Sequence, residues 1–148
     1  MVLKTFQFLA VILTALALVP SGAHLLALPN KIALLQDTYY VVQHSYRGWA
    51  LLGAVIIAAL IANGALAVLV RNRPESFWLA VLGCGAVAAT LAIFFVIYPA
   101  NQLTTNWTTV PDSWESLRRQ WEYGHAANAI LTFIGLCAVT CSVLSYRE

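Results

Sequence analysis

The sequence predicts an all-α protein, a four-helix transmembrane bundle, and three observations support this prediction. Of the 148 residues, 61% are apolar and only 9% are charged, whereas about 25% of a soluble domain is charged. Four apolar stretches reach the roughly 20 residues with which a helix crosses the hydrocarbon core. Most of the charges lie in the segments between these stretches. A soluble enzyme, a disordered chain and a disulfide scaffold are therefore excluded, and the length allows a single integral membrane domain, residues 1–148.

Each apolar stretch is predicted to be a helix, because lipid offers no hydrogen-bond partner to bare backbone groups. The four spans are expected at about residues 5–28, 48–70, 77–98 and 126–146. Pro29 and Pro99 are expected to close the first and third spans. Residues 71–74 should form a tight turn between the second and third spans.

Two segments between the spans are predicted to contain helix starts. Asp37 is expected to cap a helix over residues 38–47 that leads into the second span. Asp112, with Glu115 three residues later, has the pattern of a capping box for a helix over residues 113–123. Helices 2 and 4 are therefore predicted to extend out of the membrane.

The two polar segments, residues 30–47 and 100–125, must lie on the same side of a four-span protein. Basic residues divide equally between the two sides: Lys4, Arg71, Arg73 and Arg147 against Lys31, Arg47, Arg118 and Arg119. The first group lies in short tails and a short turn, where the positive-inside rule is strongest. We therefore expect a multi-pass membrane protein with both termini in the cytoplasm.

The first apolar stretch has a competing interpretation as a signal peptide. Lys4 precedes an apolar run, and Ser21-Gly22-Ala23 offers the small residues of a cleavage site. Cleavage after Ala23 would leave three spans. The stretch continues to Leu28 and is long enough to cross the membrane, so four spans are the prediction.

Polar side chains at the loop-side ends of the spans are the candidates for function, because polar groups in a membrane protein are costly. The candidate binding residues are His24, His44, Arg47, Tyr98, Asn101, Trp114, Trp121 and Asn128, and the candidate catalytic residues are His125 and Arg118. Such a cluster could form a pocket for a hydrophobic or aromatic small molecule. Its alternatives are a metal ion held by three imidazoles and simple anchoring in the headgroup zone. The histidines form no His-x-x-x-His pair, and no cofactor is identified.

The start of the fourth helix carries four of these residues on one face: Trp114, Arg118, Trp121 and His125. The same spacing argument predicts ion pairs between Glu115 and Arg119 and between Arg118 and Glu122. This face is either a self-supporting helix surface near the headgroups or an aromatic and basic wall that stacks on a planar ligand.

Five segments of the chain carry a pattern typical of one family: residues 46–53, 98–102, 106–107, 114–122 and 125–128. With the Pro99-Ala100-Asn101 corner and the Arg-x-x-Trp helix, the chain resembles the small four-span bacterial membrane proteins of an uncharacterised-domain family related to fungal anthrone oxygenases. The resemblance covers roughly residues 22–144. Members of known role are implicated in oxidising anthrones to anthraquinones, so the resemblance implies a four-span fold and an oxidoreductase. The residues that match the pattern are Asn101, Trp114, Arg118, Trp121, His125 and Asn128.

In an oxygenase of this kind, His125 is expected to deprotonate a phenolic substrate and Arg118 to stabilise the phenolate. The alternatives are a non-enzymatic membrane subunit or assembly partner and a small-solute transporter, although the middle of the spans offers only Asn63 and threonines for proton coupling. The expected partners are the lipid bilayer, an aromatic small molecule and a second copy of the chain, since small residues permit close helix contact. A net charge of +2 does not indicate nucleic acid.

Overall fold

The computed structural model describes residues 1–146, and over this range it is helical and contains no strand. The five α-helices are α1 (Val2–Lys31), α2 (Gln36–Gln43), α3 (Gly53–Leu69), α4 (Pro74–Leu103) and α5 (Trp114–Ser145). Two short 3-10 helices, His44–Tyr46 and Trp49–Leu52, connect α2 to α3. Arg147, on which the orientation argument draws, and Glu148 lie outside the described residues.

Four of these segments are long and apolar enough to cross a membrane: α1, Trp49–Leu69, α4 and α5. Only 17% to 39% of the most apolar part of each is buried inside the protein. Most apolar side chains therefore point outward, an arrangement that lipid accepts and water does not. The predicted all-α transmembrane bundle is confirmed, and the protein is an integral membrane protein.

Helices α4 and α5 are in close contact where two glycines, Gly83 and Gly135, face one another. A Cβ atom added at Gly83 would lie 3.2 Å from the carbonyl oxygen of Gly135 and 3.3 Å from the backbone nitrogen of Val139. A Cβ atom at Gly135 would in turn lie 3.3 Å from the Gly83 carbonyl oxygen. The backbones of the two helices are thus in contact, as small residues allow in membrane bundles.

A polar contact joins α1 and α3 in the middle of their spans. The Nδ2 atom of Asn63 donates to the Thr14 hydroxyl at 2.9 Å and to the Ala59 carbonyl at 2.8 Å. Both Asn63 and Thr14 are fully buried. An interhelical hydrogen bond of this kind stabilises a membrane bundle and fixes the register of the two helices.

The expectation that Pro29 and Pro99 end their helices is wrong. Both prolines lie inside helices, because α1 continues to Lys31 and α4 to Leu103. In membrane helices neighbouring groups satisfy backbone groups that a proline leaves free. Pro99 leaves the Phe95 carbonyl without its usual N–H donor, and Gln120 of α5 donates to the adjacent Val96 carbonyl. The two extra residues of α1 place Lys31 two turns after His24, on the same face.

The continuous helix predicted from residue 38 into the second span is also not observed. The chain breaks at Gly48, whose φ of +87° lies in the left-handed region that favours glycine. Helix α2 begins one residue before Asp37, which lies in the first turn instead of capping it. The chain from α2 to α3 therefore folds back on itself, and the 3-10 helices turn their aromatic side chains towards the bundle.

Helix α5 is the long continuous helix that the sequence predicts. Its 32 residues span about 48 Å, which exceeds the roughly 30 Å of the hydrocarbon core. The expected capping box is wrong, because Ser113 is the N-cap and no side chain caps the helix.

The loop between α4 and α5 contains a left-handed turn. Three consecutive residues other than glycine have positive φ: Thr105, Asn106 and Trp107, at 48°, 54° and 63°. The Thr104 hydroxyl accepts from the backbone N–H of Trp107 at 3.0 Å. The Thr104 carbonyl accepts from the backbone N–H groups of Thr108 and Thr109. The turn buries the Trp107 ring against the rings of Tyr39, Tyr40 and Trp121.

The glycine contact between α4 and α5 gives a testable prediction. Gly83→Ala should lower the free energy of unfolding by about 1–3 kcal/mol, because backbone atoms of α5 cannot move aside easily. Thermal unfolding in detergent, followed by circular dichroism, measures the loss. Gly85→Ala is the matched control, since nothing lies within 4 Å of its added Cβ atom. Equal unfolding midpoints for the two variants would contradict the close approach.

Candidate functional site

A buried ion pair lies at the loop-side end of the bundle. The Lys31 ammonium, at the end of α1, is 2.8 Å from Oε2 of Glu122 in α5. The two residues are only 3% and 0% exposed. Because two charges removed from water cost several kcal/mol each unless they are paired, each of these residues depends on the other.

The second carboxylate oxygen of Glu122 is held by α2. Its Oε1 atom accepts from the Tyr39 hydroxyl at 2.8 Å and from Nε2 of Gln43 at 2.9 Å. One carboxylate therefore joins α1, α2 and α5. Burial raises the pKa of the Tyr39 phenol well above its ordinary value, and the negative charge of Glu122 raises it further. The phenol thus stays protonated and remains a donor.

Two imidazoles lie beside this ion pair. The Nδ1 atom of His24 is 3.1 Å from the Lys31 ammonium and 3.7 Å from Oε2 of Glu122. The first distance is that of a hydrogen bond and the second is too long for one. The other face of the site is an aromatic stack in which His24 lies between Tyr46 and His125, with ring centroids 4.1 Å and 4.2 Å away.

His125 and Trp121 present two unpaired nitrogen atoms to this aromatic cage, which we define as the rings of His24, Tyr46, Trp49, Trp121 and His125. The rings of Trp121 and His125 are 4.4 Å apart, edge to face. Both the Nε2 atom of His125 and the Nε1 atom of Trp121 are buried, and neither has a hydrogen-bond partner. Buried polar groups are normally paired, so these two atoms are free to bind a ligand.

Arg118 lies in a neighbouring layer and contacts no atom of the cage at hydrogen-bond distance. Its Nη1 atom donates to the Leu34 carbonyl at 2.7 Å. Its guanidinium lies 4.7 Å from the Trp114 ring and 5.5 Å from the Tyr39 ring. The predicted Arg118–Glu122 ion pair does not form, because Glu122 turns towards Lys31. The predicted Glu115–Arg119 pair is confirmed at 3.8 Å, although such exposed pairs contribute little.

The structure brings together three of the residues predicted from the sequence, His24, Trp121 and His125, and places Trp114 and Arg118 next to them. The others are elsewhere. His44 and Arg47 are exposed, so the three histidines do not meet. Within residues 1–146 no group of three or more His, Cys, Asp or Glu side chains is arranged to hold a metal ion.

The remaining predicted residues have other neighbours. Tyr98 is exposed on α4, with its ring against Phe94. The Asn101 carbonyl accepts from the backbone N–H of Asn106 at 2.7 Å, which supports the left-handed turn. Asn128 is buried one turn beyond His125, and its Oδ1 atom has no partner.

Six residues of the site were not among the sequence candidates: Lys31, Tyr39, Gln43, Tyr46, Trp49 and Glu122. A signal for Glu122 was present, since it stands three residues before His125 in a Glu-x-x-His spacing that places both on adjacent turns. A signal for Lys31 was its position at the end of an apolar helix, where a charge needs a partner. Tyr39 and Gln43 lie four residues apart on α2 and had no such signal.

The Nε2 atom of His125 and the Nε1 atom of Trp121 are buried, although Tyr46, Trp49 and His125 are themselves partly exposed. Two open grooves lie on the loop side, of about 580 and 330 Å³. The larger is lined by the first turn of α5, and the smaller by one face of α2 and residues 107–110. Neither is lined by Lys31, Glu122 or the two stacked histidines. A ligand that reaches the unpaired nitrogens must therefore move a side chain aside.

Comparisons of the chain with protein-family models, with curated proteins and with solved structures give no match. The resemblance to the anthrone oxygenase-like family thus stays a prediction, and the chemistry of the site is argued from its own residues.

The ion pair gives a second prediction. Glu122→Gln should lower the free energy of unfolding by about 3–5 kcal/mol, because it leaves Lys31 buried without a counter-charge. Thermal unfolding in detergent measures the loss. Glu115→Gln, which breaks an exposed pair on the same helix, should cost at most about 0.5 kcal/mol. The double variant Lys31→Met with Glu122→Leu should recover most of the stability, and a loss as large as that of Glu122→Gln would argue against the pair.

The hydroxyl of Tyr39 gives a third prediction, on pH. Its pKa is raised in the folded protein, so its contribution is complete below the unfolded pKa of about 10 and is lost as the pH rises above that value. Tyr39→Phe should therefore lower the unfolding midpoint at pH 8, because Glu122 loses a hydrogen-bond donor. In this variant the unfolding midpoint should also fall less steeply between about pH 9 and 11 than in the wild-type protein. Tyr98→Phe, an exposed tyrosine, is the control. An unchanged alkaline decline in Tyr39→Phe would contradict this assignment.

Proposed function

We propose that the protein is an integral membrane oxidoreductase of the anthrone oxygenase-like kind. In this proposal the loop-side end of the bundle binds a hydrophobic, planar molecule with a weakly acidic hydroxyl. The observation that supports it best is the buried Nε2 atom of His125, which has no partner and lies inside a cage of aromatic rings. An unpaired imidazole nitrogen in such a site can accept a proton from a ligand.

The proposed role of His125 is that of general base. An aromatic ligand gains contact area from the surrounding rings, which favour flat partners. Its hydroxyl can then donate to Nε2 of His125, the one imidazole nitrogen that is buried without a partner. Transfer of the proton leaves an anion on the ligand and an imidazolium on the protein.

The earlier expectation that Arg118 stabilises this anion has less support. Arg118 is seven residues from His125, or about 10 Å along the helix axis. It also donates to Leu34 and stacks between two aromatic rings. We therefore assign Arg118 to the wall of the site and not to the reacting oxygen.

The oxidation uses dioxygen as the oxidant. The anion is electron-rich and passes four electrons to dioxygen over the whole reaction. The methylene carbon of the anthrone loses two hydrogens and gains one oxygen atom as a carbonyl. The second oxygen atom leaves with the two hydrogens as water. The protein residues bind the substrate, hold it beside the base and exclude water.

The setting of this proposal is a bacterial inner membrane with both termini in the cytoplasm. The short turn with Arg71 and Arg73 supports that orientation through the positive-inside rule. The site then lies near the outer surface, where a lipid-soluble substrate can reach it from the bilayer. A homo-oligomer formed through small-residue helix faces is compatible with this position.

The test is turnover of a tricyclic anthrone by the detergent-purified protein, followed as oxygen uptake and quinone absorbance. His125→Gln should reduce the rate at least about 100-fold, the usual contribution of a general base. His44→Gln, which changes an exposed histidine, should keep the full rate. Full activity of His125→Gln, or no turnover by the wild-type protein, would refute the proposal. A partner that co-purifies in fixed stoichiometry with an inactive protein would support a non-enzymatic subunit instead.

A further inference from the structure

The two stacked histidines are not equivalent, because only one of them contacts an ammonium group. The Lys31 ammonium lies 3.1 Å from Nδ1 of His24. An ammonium can donate hydrogen bonds but cannot accept them. The Nδ1 atom of His24 must therefore be the acceptor, and the proton of its neutral ring is on Nε2.

The surroundings of Lys31 hold this arrangement in place. Its ammonium forms an ion pair with Oε2 of Glu122 at 2.8 Å, and Tyr39 and Gln43 fix that carboxylate through its other oxygen. The ring of Tyr46 lies 4.7 Å from the ammonium. Lys31 is 3% exposed, so it has little room to turn away from His24.

His125 has the opposite character. Its Nε2 atom is buried and has no hydrogen-bond partner, and it is an acceptor when the proton of the neutral ring is on Nδ1. Its ring lies parallel to that of His24, with centroids 4.2 Å apart and planes 11° apart. Two imidazoles in face-to-face contact therefore offer one donor and one acceptor.

We propose that Lys31 is a positioning residue that fixes His24 as the Nε2–H donor, so that the histidine pair recognises a planar aromatic ligand with two neighbouring oxygens. One oxygen is a hydroxyl that donates to His125. The other, a carbonyl or a second hydroxyl, accepts from His24. This inference rests on the proposed function, and it names the substrate class and the group that stabilises the oxyanion.

The donor from His24 also completes the chemistry of the base. When the ligand hydroxyl gives its proton to His125, negative charge spreads over both ligand oxygens. A preorganised N–H donor at the second oxygen stabilises that charge, and it does so more strongly in a buried site than in bulk water. The positive charge of Lys31, held behind the His24 ring, acts in the same direction.

The first test is the tautomer of His24 in the wild-type chain in detergent. Nitrogen-15 resonances of histidine separate Nδ1–H, Nε2–H and doubly protonated rings, and the chain has only three histidines. His44→Gln and His125→Gln assign the signals. We expect His24 neutral, with its proton on Nε2. A proton on Nδ1, directed to Glu122, or a doubly protonated ring would overturn the proposal.

The second test removes the positioning group without leaving a buried charge. In the double variant Lys31→Met with Glu122→Leu, His24 should no longer favour the Nε2–H tautomer and should show a mixture of the two neutral tautomers. The unfolding midpoint establishes that the variant is folded. A folded double variant in which His24 keeps the pure Nε2–H form would show that Lys31 is not the cause.

The third test is ligand binding without turnover, measured by the fluorescence of two probes. 2,3-Dihydroxynaphthalene offers two neighbouring oxygens and 2-naphthol offers one. The diol should bind about tenfold more tightly, as expected for one additional hydrogen bond. His24→Phe keeps a stacking ring but removes the donor, so the two probes should then bind equally. Equal binding to the wild-type protein would overturn the ligand class.

These measurements are separate from the test of the oxidation. The tautomer and the probe affinities do not depend on dioxygen. If they are as expected and a tricyclic anthrone is not oxidised, the proposed reaction fails while the donor and acceptor pair stands.

Discussion

Two opposite charges from the first and the last helix, Lys31 and Glu122, meet where water does not reach them. Neither is tolerable there alone, since an isolated buried ion costs far more than a typical folding free energy allows. The Oε1 atom of Glu122 accepts hydrogen bonds from Tyr39 and Gln43 of α2. The Lys31 ammonium also contacts Nδ1 of His24. The position of α2, the end of α1 and the orientation of the imidazoles all follow from this one pair.

The irregular parts of the chain complete the site. The break at Gly48 places the ring of Tyr46 on His24, and the left-handed turn before α5 drives Trp107 against Trp121. Regular helices could not present these rings, because their side chains would follow the helix surface into lipid. Departures from regular structure in this protein therefore bring aromatic rings onto His24 and Trp121.

The fold could be predicted from the sequence because a long apolar run in lipid has few alternatives to a helix. The face of α5 that carries Trp121 and His125 could be predicted as well, since it depends only on local spacing. The partners of Glu122 could not. Tyr39 is 83 residues away along the chain, and its approach depends on the break at Gly48 and on the continuation of α1 beyond Pro29. These features are set by tertiary contacts, which override local preferences.

The separation of the two charges along the chain has a consequence for biogenesis. Lys31 is at the end of α1 and Glu122 is in α5, and α1 leaves the ribosome before α5, so the pair cannot form until α5 has been made. Until then the Lys31 ammonium has no carboxylate from α5 beside it. Closure of the cluster therefore follows the insertion of α5, and a chain that stops before Glu122 carries an uncompensated charge that distinguishes it from one in which the pair has formed.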